Sequence, residues 1–175
     1  MEIIDIVLIL GCLYSVYTDM RTKKIKNYIT FPLMLLGLIY NLYINGLGGL
    51  VFSLKGLFIS GGLTVSLALI GGFGMGDVKL FMGIGAIKGY KFTSVVLVIS
   101  LFSSILGSFV INPKRFIEGI KNVYNTIKYK LHHVSYKITE KESSWVLAYG
   151  IYIFIGLILT YILGGESVWV KLFAN

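Results

Sequence analysis

Long apolar runs separated by short polar stretches set the plan of this chain. A helix needs about 20 apolar residues to cross a hydrocarbon layer, with a range of about 17–25. Residues 1–18 form the first such run, charged only at Glu2 and Asp5 near its start. No Lys or Arg precedes it, so a cleaved signal peptide is not expected. After the polar stretch from Asp19 to Asn27, a second run covers about 28–44. Pro32 falls in its first turns, where proline is tolerated. Asn45-Gly46 and Gly48-Gly49 mark a tight turn. A third run covers about 50–73 and ends in the glycine-rich stretch 71–77. The fourth run, about 78–90, is short; the fifth covers about 92–111 and the sixth about 145–163, with Trp145 as an interfacial anchor. The pattern predicts an all-α polytopic membrane protein: one integral domain over 1–175 with about six transmembrane helices.

Segment 112–144 follows a different rhythm. Phe116, Ile120, Val123, Ile127, Leu131, Val134 and Ile138 recur every three or four positions among lysines. That spacing predicts an amphipathic helix. It either lies on the anionic cytoplasmic leaflet or docks on the spans.

Composition supports this reading. The chain is 56% hydrophobic and 14% charged, and its mean hydropathy is +0.82. A soluble domain carries about 25% charged residues, so a water-soluble globule and a disordered chain are both excluded. The 21 glycines and two prolines suit helices packed closely in lipid. The net charge of +8 would suggest nucleic acid in a soluble protein. Here twelve of the sixteen Lys and Arg residues fall in 19–27, 71–79 and 112–144, which six spans place on one side. The positive-inside rule puts those segments in the cytoplasm and both termini outside the cell membrane. The cations thus report topology, membrane lipids are the expected contacts, and no nucleic acid partner is expected. The single cysteine, Cys12, excludes an internal disulfide and is expected as an inert buried thiol. His132 and His133 are adjacent and lack the i, i+4 spacing of a metal pair. No metal or other cofactor is expected.

The eight acids are scarce enough to be informative. Asp19 ends the first span and Asp77 begins the fourth, at one membrane face. A carboxylate at membrane depth costs about 2.5–3.5 kcal/mol, which marks such residues as functional candidates. Asp5 and Glu2 are expected at the outer face, where a solvated charge costs little. Two nearby carboxylates resist double ionisation, so one stays protonated. The ionised partner can activate water, while the protonated one hydrogen-bonds a carbonyl and later donates its proton. That is aspartic-protease chemistry. Structural readings stand beside it: a helix cap for Asp77, and an ion pair with Arg21 or Lys23 for Asp19. Gly74 and Gly76 give the backbone beside Asp77 unusual freedom and let a substrate strand approach. Lys79, two positions from Asp77, points elsewhere on a helix and is expected to reach headgroups.

The stretch Gly74-Met75-Gly76-Asp77-Val78-Lys79-Leu80, continuing through Gly83, Gly85, Ala86 and Gly89, resembles the second signature of type IV prepilin peptidases. Asp19-Met20-Arg21, with Ile25 and Asn27, resembles the first. Ala148-Tyr149-Gly150 with Gly156 is similar to the family's Pro-Tyr/Phe-Gly element, with alanine in place of proline. Lys26 stands where many members carry proline. The resemblance implies a membrane aspartic endopeptidase of the Gly-x-Gly-Asp type, with Asp19 and Asp77 as its catalytic pair. Arg21, Asn27, Gly74, Gly76 and Lys79 are its supporting residues. The implied partner is a prepilin-like or preflagellin-like precursor, cut between its basic leader and apolar helix at the cytoplasmic face. The cysteine-paired region of larger members has no counterpart here, so methyl transfer is not expected. Two other classes remain open on the residues alone: a small transporter or channel using the aspartates as a proton relay, and a non-catalytic subunit of a pilus or secretion assembly.

Overall fold

The computed structural model describes residues 2–22, 24–69, 74–111 and 149–173. It is all-α there, with α1 (Ile3–Thr22), α2 (Asn27–Leu69), α3 (Met75–Ile111), α4 (Tyr149–Ile162) and α5 (Glu166–Phe173). Three helices, Ile3–Thr22, Asn27–Leu69 and Met75–Val110, are long and apolar enough to cross a membrane, and α4 is a shorter apolar helix. The expected amphipathic helix of 112–144, with His132 and His133, lies outside the described residues. So do Lys23, Gly71 to Phe73, and the start of the sixth run with Trp145 and Ala148.

The tight turn expected near Asn45 is a break inside α2: Gly46 has φ 57° and ψ −145°. A second break interrupts α3 at Gly89, with φ 79° and ψ 167°. Both conformations lie in the region that favours glycine. The chain reverses at each. Ser53 Oγ donates to Gly37 O at 3.0 Å, whereas sixteen residues of straight helix would span about 24 Å. Asp77 and Ser100 both lie near Tyr149, although twenty-three residues of helix would span about 35 Å.

The limbs meet at very short range. A Cβ on Gly56 would collide with Gly85 O, one on Gly85 with Gly56 O, and one on Gly37 would fall 2.7 Å from the Ala86 carbonyl carbon. The first limb of α3 is therefore packed backbone to backbone against both limbs of α2. Its final carbonyls are freed by the break at Gly89 and need partners, since unpaired backbone groups in hydrocarbon cost several kcal/mol. Asn41 and Ser53 supply them. Asn41 Nδ2 donates to Ala86 O and Ile87 O at 3.2 and 3.3 Å, and Ser53 Oγ donates to Ala86 O. Leu80, Phe81, Ile84 and Val96 of α3 join Leu8 of α1 and Ile153 and Leu157 of α4 in the main core. Leu10, Leu35, Phe58, Phe102 and Ile162 face outward, as expected of side chains that meet lipid tails.

One end of the bundle corrects an expectation. Asp5 is not solvated; it is 3% exposed. Its Oδ1 accepts from Lys88 Nζ and from the Tyr161 hydroxyl, both at 2.9 Å, and its Oδ2 accepts from the Glu2 amide at 2.9 Å. Three donors compensate the buried carboxylate. The Lys88 ammonium also lies over the Phe92 and Tyr161 rings. Glu2 Oε2 accepts from the Tyr40 hydroxyl at 2.8 Å. Residues of α1, α2, α3 and α4 meet at this end.

Candidate active site

At the opposite end Asp19 and Asp77 are both buried, 7% and 6% exposed. Asp77 sits in the first turn of α3. Its Oδ2 accepts from the Gly74 amide at 2.9 Å, while Gly74 O accepts from the Val78 amide at 3.2 Å. This reciprocal arrangement resembles a capping box, in which a side chain in the first turn reaches back to satisfy the amide ahead of the helix. Asp77 is thus not the N-cap, a position held by Gly74; its side chain reaches back from the first turn to the Gly74 amide, and this fixes the carboxylate's orientation. A Cβ on Gly74 would fall 3.2 Å from that same oxygen.

Asp19 sits in the last turn of α1. Its Oδ2 accepts from the Gly150 amide of α4 at 3.0 Å. A Cβ at Gly150 would press on that oxygen at 3.0 Å. Asp19 therefore has no ion pair with Arg21, whose guanidinium lies 5.0 Å over the Tyr17 ring. Each aspartate has one oxygen held by a backbone amide. Among the described residues neither Oδ1 accepts a hydrogen bond. The two carboxylates lie within electrostatic reach of one another. The buried Tyr149, one residue before Gly150, has its hydroxyl 3.5 Å from Ser100 Oγ.

The loop leaving α1 folds over the Asp77 turn. Thr22 Oγ1 donates to Lys24 O at 3.1 Å, and buried Ile25 then packs against Gly76, where a Cβ would lie 3.0 Å from the Ile25 Cβ. On the far side of Asp77, Lys79 Nζ donates to Asn27 Oδ1 at 2.9 Å and lies 5.4 Å over the Phe31 ring. Lys79 thus turns to a protein partner where headgroup contact was expected.

All seven sequence-derived candidates are at this end. Asp19 and Asp77 share its interior, with Gly74 and Gly76 against them. Asn27 and Lys79 pair at its edge, and Arg21 is exposed on the outer side of α1. The donor from Gly150 to Asp19 was not foreseen as part of the site, although the Tyr149-Gly150 element had been noted. Two held carboxylates with a free oxygen apiece can activate a water and polarise a carbonyl between them. Among the described residues no cluster of three or more His, Cys, Asp and Glu side chains forms.

Comparison with known proteins adds one finding. The model of the type IV leader peptidase family matches residues 6–111, a stretch that carries both aspartates and their glycines. No curated protein and no solved structure matches the chain.

Proposed function

The chain belongs to the type IV leader peptidase family, and on that premise we propose that Asp19 and Asp77 are the catalytic pair of a membrane-embedded endopeptidase. Membership implies an aspartic peptidase. The proposed substrates are prepilin-like or preflagellin-like precursors, cut after a basic leader and before the apolar helix. The supporting observation is the pair itself: two buried carboxylates, 58 positions apart in sequence, held by backbone amides at one end of an apolar bundle.

In the proposed reaction one aspartate is ionised and one protonated. The ionised carboxylate takes a proton from water as its oxygen attacks the scissile carbonyl carbon. The protonated one donates a hydrogen bond to the carbonyl oxygen, which carries the developing negative charge. Collapse of the tetrahedral intermediate breaks the C–N bond, and the amine leaves with a proton from the acid. The Gly74 and Gly150 amides keep both carboxylates oriented through the cycle.

In this reading Gly46 and Gly89 divide the long helices, so that the chain crosses the membrane about six times with both termini outside. Arg21, Lys24, Lys26 and Lys79 gather at the aspartate end, which supports a cytoplasmic site.

Co-expression with a pilin-type precursor from the same genome tests the assignment. The intact chain is expected to shorten the precursor by its leader, and Asp19→Asn and Asp77→Asn to abolish the shortening. Full processing by either variant would overturn it.

A further inference from the structure

We propose that Lys79 and Asn27 form a positioning clamp that sets the location of Asp77 relative to Asp19. The inference rests on the catalytic pair proposed above. It adds two residues that hold the pair without touching the reaction.

The segment leaving α1 meets the Asp77 turn twice. Ile25 packs on Gly76, one residue before Asp77, closely enough that a Cβ there would press on the Ile25 Cβ at 3.0 Å. Asn27 Oδ1 accepts from Lys79 Nζ, two residues after Asp77. The two contacts bracket the aspartate. The Lys79 side chain projects away from the carboxylates, as expected for positions i and i+2 on a helix, so it acts through placement. Gly76 and Ile25 resist approach, because atoms already at van der Waals contact cannot come closer. Against separation they offer only the non-directional burial of Ile25. Among the described residues, the directional hydrogen bond from Lys79 opposes separation at this edge, and the Phe31 face steadies the ammonium that makes it. The pairing joins α3, which carries Asp77, to the segment that continues from the Asp19 helix. It also occupies a positive charge beside a site proposed to receive a basic leader.

A misplacement of about 1 Å can cost about 100-fold in rate. Lys79→Met and Asn27→Ala are each expected to lower kcat about tenfold, with KM within about twofold of the unchanged protein. The double variant is expected to be no slower than the slower single one, because either change alone opens the clamp. The reversed pair, Asn27→Lys with Lys79→Asn, restores a donor opposite an acceptor and is expected to recover most of kcat.

Purified protein in lipid nanodiscs with a pilin-type precursor serves for the measurement, with accumulation and thermal midpoint followed for every variant. Multiplicative losses in the double variant, a loss in KM alone, or unchanged kcat in both single variants overturns the clamp. If the single variants fail to accumulate, the reversed pair decides: folded but still slow, it overturns the proposal. No cleavage by the unchanged protein would instead refute the peptidase reading.

Discussion

At Gly150 a hydrogen atom stands where any other residue would carry a β-carbon, and the Asp19 carboxylate packs against that side. Alanine there would put a Cβ 3.0 Å from Oδ2 and displace the acceptor of the Gly150 amide. Gly150→Ala is therefore expected to lower kcat by at least about tenfold while the bundle still folds. Cleavage rate compared with thermal midpoint checks this. The paired aspartates also predict a bell-shaped pH–rate profile, since activity needs one acid and one base. A profile flat from acid to alkaline conditions would contradict shared proton chemistry. The two aspartates and their glycines were readable as candidates because a carboxylate beside an apolar run demands a reason. The Gly150 contact was not readable as part of the site. It joins positions 131 residues apart, and nothing local to either discloses which backbone amide will meet the acid.

Helix packing depends on groups that are individually small. Gly56 and Gly85 bring two backbones into contact, and Asn41 and Ser53 satisfy the carbonyls that the break at Gly89 releases. Ser53→Ala is expected to lower stability by about 1 kcal/mol through the lost hydrogen bonds to Gly37 O and Ala86 O, with Asn41 still serving both carbonyls. Gly85→Leu is expected to cost considerably more, because the seam must open. Unfolding in mixed micelles, monitored by circular dichroism, measures both. The helical plan was legible from run lengths, and the turn near Asn45 from its glycines. Which faces turn inward was not. In water an apolar stripe marks the buried face. In lipid the outward face is apolar too, so Leu35 and Leu33 look alike in sequence although one faces outward and the other is buried. Asp5 was misread for the related reason that its partners, Lys88 and Tyr161, arrive from distant segments.

For the whole molecule, the two ends carry opposite electrostatic designs. One end buries an ion pair inside a cage of aromatic rings; the other buries two acids with backbone donors alone. Lys88 retains 25% side-chain exposure while Asp5 retains 5%. Lys88→Met would strand the Asp5 carboxylate, at an expected cost of about 2 kcal/mol, and Asp5→Asn added to it should recover part of that loss. Thermal unfolding of the three variants decides the matter.

The helix α1 is fastened to α4 twice, by Asp5 to Tyr161 at one end and by Asp19 to Gly150 at the other. The fourteen residue steps from Asp5 to Asp19 make a rod about 21 Å long. A rod pinned at both ends can neither slide nor roll against its neighbour without tearing loose a buried carboxylate. The α1–α4 pair therefore behaves as one stiff staple through the bundle. Any opening toward the acids is then left to elements outside that staple.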